Sequence, residues 1–155
     1  QIREVLESVL KELEVIADKQ KIIISSEIEG PGELWCDPRH ARQILTNLIG
    51  NSIKYNKEEG SVDIKIYPNE DPRFMTVSVR DTGLGIPEEE QASIFEAFTR
   101  AKSTDRSAIS GTGLGLALVK QLAGLNQGDV YLTSSSDDGT EFHLILPVLD
   151  IKKSR

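Results

Sequence analysis

Asn47-Leu48-Ile49-Gly50-Asn51-Ser52-Ile53-Lys54 sits inside a helical pattern that begins at Asp37-Pro38. Asp is a good N-cap, and the fixed φ of Pro suits the first helical position. Ala41, Ile44, Leu45, Leu48, Ile49 and Ile53 form the apolar stripe of that helix. Asn47, Asn51 and Lys54 recur at i, i+4 and i+7, so they share one face, opposite the stripe. Asn is a mediocre helix former because its amide competes with the backbone for hydrogen bonds. Two of them inside one helix are either a solvated polar face or the wall of a site. A carboxamide oxygen suits Mg²⁺, which takes oxygen ligands and keeps waters and phosphates, and an ammonium one turn along suits a phosphate.

Working outward, Ile2, Val5, Leu6, Val9, Leu10, Leu13 and Ile16 predict an amphipathic helix over about residues 2–18. Ile22-Ile23-Ile24 opens a short strand to about Ile28, and Glu29 to Glu33 is a turn. Downstream, Val62, Ile64 and Ile66 alternate with polar residues, as do Met75, Val77 and Val79, which predicts two half-buried strands. A short helix opened by Pro87, a helix to about Leu125, and strands over Val130–Thr133 and Phe142–Leu146 complete the chain, the last two joined by a turn at Asp137 to Thr140. The order α, β, α, β, β, α, α, β, β groups hairpin-spaced strands apart from helices. It predicts an α+β, two-layer sandwich, with helices on one face of a mixed, mostly antiparallel sheet.

Two glycine-rich segments flank the short helix. Asp81-Thr82-Gly83-Leu84-Gly85-Ile86 follows a strand directly. Its glycines permit close backbone approach or positive φ, or make an ordinary turn, and the Asp81 carboxylate could accept from an exocyclic amine such as that of adenine. Gly111-Thr112-Gly113-Leu114-Gly115-Leu116 opens a helix, whose free N–H groups and positive dipole end can hold phosphate. It is neither a P-loop, since no Lys-Ser or Lys-Thr follows, nor a dinucleotide fingerprint. Arg100, Lys102 and Arg106 lie between the two segments, on either a surface loop or a lid that orders on a polyphosphate.

A chain of 155 residues with 38% hydrophobic and 28% charged residues is the size and balance of one globular domain. Its net charge of −7 argues against non-specific nucleic-acid binding. The single cysteine, Cys36, excludes an internal disulfide and thiolate metal sites. No apolar run has the length of a membrane span. The chain opens inside an amphipathic pattern without an initiator Met, which reads as a piece of something larger.

The four segments together, with Ile94-Phe95-Glu96-Ala97-Phe98-Thr99-Arg100 between the glycine segments, resemble the catalytic and ATP-binding domain of sensor histidine kinases. That family lies in the superfamily of gyrase, MutL and the heat-shock chaperone ATPases. The resemblance covers nearly the whole chain, with residues 1–150 as the domain and 151–155 as a tail. It implies the Bergerat ATP-binding fold, ATP and Mg²⁺ as ligands, and phosphoryl transfer to a histidine on a separate dimerisation domain, followed by a response regulator. It implies no nucleic-acid partner, no direct membrane contact, and a cytoplasmic location even if the parent is membrane-anchored. By the same resemblance Asp81 would bind the adenine amino group, with Thr140 beside it, and Tyr55 would line the base. Asn51 would coordinate Mg²⁺, with Asn47 assisting. Lys54 and Arg100 would contact the phosphates, so that Asn47, Lys54 and Arg100 carry the catalytic roles. Gly83, Gly85 and Ile86, and Gly111, Thr112, Gly113, Leu114, Gly115 and Leu116, would complete the ATP site.

Superfamily members that hydrolyse ATP place a glutamate general base where this chain has Asn47, and an amide cannot take that proton. Neither His40 nor His143 reads as the phospho-acceptor. The alternative is a degenerate nucleotide-sensing or docking domain, whose usual mark is loss of the magnesium asparagine or the glycines. Ser52, where Ala is usual, and Asn126-Gln127-Gly128-Asp129, in place of a His-Gly-Gly type of turn, are departures expected to stand clear of the chemistry.

Overall fold

The Asp37-Pro38 start forms as its chemistry requires. Asp37 Oδ1 accepts from the Arg39 backbone N–H at 2.9 Å, and the helix runs Pro38–Lys54 (α2). The Arg39 side chain folds back on the same carboxylate and holds its pKa down at about 2, so the cap stays ionised through mildly acidic pH. In the computed structural model, which describes residues 2–30, 32–96, 115–136 and 139–148, the elements before α2 are helix Ile2–Lys19 (α1) and strand Ile23–Ile28 (β1). After it come strands Ser61–Pro68 (β2) and Phe74–Asp81 (β3), the single turn Glu88–Gln91 (α3), helix Gly115–Leu125 (α4), and strands Asp129–Ser136 (β4) and Gly139–Pro147 (β5). The expected loop over 101–110, the glycines at 111 and 113, the turn residues 137–138 and the tail at 151–155 lie outside the described residues.

The sheet order is β1-β2-β3-β5-β4, with β1 parallel to β2 and every other pair antiparallel. Period-2 alternation sends Val62, Ile64 and Ile66 of β2, Met75, Val77 and Val79 of β3, and Phe142, Leu144 and Leu146 of β5 to one face, all buried. The helices cover that face. Ile44, Leu45, Leu48, Ile49 and Ile53 of α2 are essentially inaccessible, each contributing about 1.5–3 kcal/mol of burial. Helix α2 packs between α1 and α4. The fold class and the element order are those expected.

Three details depart from the periodicity. Ile16 is 50% exposed, because the buried stripe of α1 runs Ile2, Leu6, Val9, Leu13, Ala17 and leaves Ile16 off its edge. The last hairpin is longer than its apolar residues mark, since the backbone ladder continues through Ser and Thr. The register slips between Leu132 and Ser134, and the Thr133 hydroxyl donates to the Glu141 carbonyl at 3.0 Å.

Asn126 ties two helix ends together. Its Oδ1 accepts from the Asp37 N–H (3.0 Å), and its Nδ2 donates to the Leu122 carbonyl (2.8 Å) and faces His40 Nδ1 at 2.9 Å. Asn126→Ala is expected to cost about 1–3 kcal/mol, because it strands these partners in a buried place. An unchanged urea midpoint would remove that role.

Candidate functional site

The Asn47–Asn51 face of α2, which flanks the buried stripe, meets the start of α4. A Cβ added at Gly115 would lie 3.4 Å from Asn47 Oδ1 and 3.8 Å from Asn51 Nδ2. The two asparagines thus converge on the first residue of α4, where helical N–H groups lack intrahelical partners. Beside this point a narrow cleft of about 30 Å³ opens, lined by Asn51, Ser52, Tyr55, Asp81, Ile86, Leu116, Thr140 and Phe142. That is well below the roughly 300–1,000 Å³ of small-molecule sites, so among the described residues it is a notch rather than a full ligand pocket.

The floor of the cleft is the β3–β5 pair. Asp81 is the last residue of β3 and pairs in register with Thr140 of β5, and both are buried. The Asp81 carboxylate is oriented by its own loop, with Oδ1 accepting from the Gly83 N–H at 2.8 Å. The glycines of this loop do different things. Gly85 has φ +72°, in the left-handed region. Gly83 lets the loop cross α2's end, since a Cβ there would strike the Tyr55 carbonyl oxygen at 2.4 Å. Leu84 N–H also donates to that carbonyl, at 3.2 Å.

Asn51, Tyr55, Asp81, Ile86, Leu116 and Thr140 therefore share one cleft, and Asn47 and Gly115 adjoin it. Gly83 and Gly85 shape its loop. Lys54 is exposed and lines neither this cleft nor the neighbouring open groove, which is formed by Glu12, Arg39, Arg42, Gln43, Thr46, Asn47 and Leu118. Arg100, Gly111, Thr112, Gly113 and Leu114 lie outside the described residues. Phe95 packs edge-to-face on Phe142 (centroids 6.0 Å apart), with Lys120 Nζ 5.5 Å from the Phe95 ring centre.

The sequence reading set Ser52 apart from the chemistry, and its hydroxyl is committed to its own helix, yet the residue lines the cleft. Ser52 is buried in the cleft wall, where its hydroxyl donates to the Leu48 carbonyl at 3.0 Å. The signal was its position: it follows Asn51 directly, on the side of the helix turned toward the sheet. Phe142, which also lines the cleft, was not singled out as a site residue. Of the histidines, His40 is engaged with Asn126, and His143 stands on the outward sheet face, edge-to-face with Tyr131 at 5.6 Å.

The donor set fits Mg²⁺. Asn47 presents Oδ1 toward Gly115, and Asn51, which presents Nδ2 there, would bring its oxygen to the same point by an amide flip, giving the oxygen donors that an octahedral ion completed by phosphate and water takes from protein.

The domain is an open mixed sheet with helices on one face and a largely apolar cleft, floored by Asp81 and Thr140, between the central helix and two antiparallel strands. A family model described as "Histidine kinase-, DNA gyrase B-, and HSP90-like ATPase" matches residues 36–150, and the chain belongs to that family. It is similar to the circadian input-output histidine kinase CikA of Synechococcus elongatus, 40% identical over 111 residues (72% of this chain, 14% of that protein). It is also similar to the sensor histidine kinase WalK of Bacillus subtilis, 36% identical over 105 residues (68% of this chain, 17% of that protein). Among solved structures it matches the mycobacterial sensor histidine kinase MprB at TM-score 0.80 and 27% identity, over 94% of each chain. Full-length ShkA in complex with AMPPNP matches at TM-score 0.80 and 32% identity, over 95% of this chain and 30% of that one. The chain spans only 14% and 17% of the two curated relatives named.

Proposed function

We propose that this domain binds ATP with Mg²⁺ in the cleft between α2 and the β3–β5 pair, and that it presents the terminal phosphoryl group to a histidine on a separate dimerising helical domain of its parent. The observation that carries the reading is the convergence of Asn47 and Asn51 on Gly115, beside a cleft floored by Asp81 and Thr140. In this reading Asp81 accepts from the adenine amino group, with Thr140 beside it, and Tyr55 and Ile86 flank the base. Asn51, with Asn47, holds Mg²⁺, which would neutralise phosphate charge when bound. Lys54 and Arg100 contact the phosphates, and the backbone from Gly111 to Leu116 cradles them. Lys54 must swing inward from its exposed position for this, which its four-carbon stem permits. Phosphoryl transfer asks mainly for such positioning and charge stabilisation.

The placement of the histidines supports a partner as the acceptor. His143 is on the face of the sheet away from the cleft, and the Nδ1 of His40 is turned to Asn126. The downstream response regulator and a location in the cytoplasm belong to the same proposal. Among the described residues no helix is long and apolar enough to cross a membrane.

The test is a titration with a non-hydrolysable ATP analogue, with and without Mg²⁺, followed by radiolabel transfer from ATP. Binding should tighten with Mg²⁺, hydrolysis by the chain alone should stay at background, and label should pass to an added histidine-bearing helical partner. Turnover that is well above background and is lost on substituting Asn47 would overturn the assignment. Binding without transfer to any such partner would favour a nucleotide sensor.

A further inference from the structure

The end of α2 and the Asp81 loop are joined by a closed set of hydrogen bonds outside the cleft. Asn56, just past the helix, donates from Nδ2 to the Ser61 carbonyl at 2.9 Å. Its Oδ1 accepts from the Lys57 N–H at 2.8 Å and from the Thr82 hydroxyl at 3.0 Å. The Thr82 oxygen in turn accepts from the Ser61 N–H at 2.8 Å. The hydroxyl has one hydrogen. Its other possible acceptor, the Ser61 carbonyl, is farther off at 3.4 Å and already takes bonds from Asn56 Nδ2 and the Thr82 N–H. The hydrogen therefore goes to Asn56. Gly60 lies directly under this contact: a Cβ there would strike Asn56 Oδ1 at 2.3 Å and Thr82 Oγ1 at 2.6 Å.

We infer that Asn56 and Thr82 form a buckle that sets the distance between the Asp81 carboxylate and the Asn51 helix, which makes both of them positioning residues for nucleotide binding. Thr82 is the immediate neighbour of Asp81, and Asn56 that of Tyr55. The buckle thus ties one wall of the cleft to its floor without touching anything inside it. The inference rests on the ATP reading above. It goes beyond that reading by assigning the geometry of the base site to two side chains outside the site. A displacement of about 1 Å is enough to cost a well-fitted site much of its affinity or rate.

Two perturbations reach the buckle by different routes. Thr82→Val keeps the shape of the side chain but removes both the acceptor for Ser61 N–H and the donor to Asn56. Gly60→Ala keeps every hydrogen-bonding group but drives a methyl between them, at a residue whose φ is outside the left-handed region. Each is measured in the 155-residue chain by calorimetric titration with AMPPNP and with adenosine. Each should weaken both ligands by about the same factor, on the order of tenfold, because the displaced group is the base-binding one. The Mg²⁺ concentration that half-saturates the tightening of AMPPNP should not move. Thr82→Ser, which restores the hydroxyl, should bind within about twofold of wild type. In the nucleotide-free protein, amide exchange at Gly83 and Leu84 should quicken in Thr82→Val, a readout that needs no ligand.

If Thr82→Val and Gly60→Ala lower thermal stability but bind both ligands as wild type does, the buckle is merely structural and the inference falls while the ATP reading stands. If wild type binds neither ligand, the ATP reading falls and takes this inference with it.

Discussion

Asp81→Asn is expected to weaken adenine nucleotide binding about 100-fold while leaving the domain folded. The expectation follows from counting oxygens. A carboxylate has two acceptors, and one of them, Oδ1, already takes the Gly83 N–H at 2.8 Å. An amide has one acceptor and a two-donor nitrogen. If the amide oxygen keeps Gly83, the –NH₂ group faces the cleft and meets the donor of an adenine amino group. If the amide flips, the –NH₂ group meets the Gly83 N–H instead and the loop loses its anchor. Neither orientation satisfies both sides. A charge-assisted bond replaced by a buried donor–donor contact costs about 3 kcal/mol, or about 100-fold in affinity. Calorimetry should show that loss for AMPPNP and for adenosine alike, since both present the base. The melting temperature should move little, because Asp81 caps the end of β3 and lies outside the aliphatic core. Affinity equal to wild type would refute the assignment of Asp81.

The elements and their order were legible because the apolar periodicity is strong where it matters. Ile44, Leu45, Leu48, Ile49 and Ile53 on α2 and Val62, Ile64 and Ile66 on β2 carry the two periods cleanly, and all of them are buried. The asparagine face was legible for the same reason: once the stripe is fixed, i, i+4 and i+7 have only one place to go. Lys54 shows the limit of that argument. It shares the face with Asn47 and Asn51 but sits in the last turn of α2, where it is exposed. Helical phase gives direction, not depth.

The buckle and Ser52 were not legible, because they depend on pairs distant in sequence. Asn56 and Thr82 are 26 residues apart. Each alone reads as ordinary turn chemistry, an Asn after a helix and a Thr before a glycine. Only the β2–β3 register, with Val62 opposite Asp81, brings Ser61 between them. The place of Ser52 in the cleft wall was hidden for a related reason. A serine whose hydroxyl bonds the carbonyl four residues back is unremarkable within its own helix. It becomes part of a site only when the sheet arrives on its other side, and that is a tertiary fact.

Gly139→Ala is expected to be among the most damaging single-methyl changes in the chain. At φ +133° Gly139 occupies a region that L residues rarely enter, and this alone costs about 1–3 kcal/mol. The added Cβ would also sit 1.9 Å from the Asp81 carbonyl oxygen, 2.8 Å from the Asp81 carbonyl carbon and 3.0 Å from Thr82 Cα. These are backbone atoms at the end of β3 and just past it, so no rotamer change relieves the clash. Either β5 lifts away from β3 at its first rungs or β3 bends. The Asp81–Thr140 pair is the rung that opens in both cases. The total should reach about 3–5 kcal/mol, visible as a large drop in the urea midpoint. The fraction that remains folded should also bind AMPPNP more weakly, because the rung that opens is the floor of the cleft. Gly124→Ala is the matched control. Gly124 is exposed within α4, with nothing within 4 Å of a Cβ, and there the methyl should leave stability unchanged or raise it by up to about 1 kcal/mol. If the two substitutions had similar effects on the midpoint, the close crossing of β5 over Asp81 would be wrong. The placement of Thr140 in the cleft would then be wrong as well, because both depend on the same register.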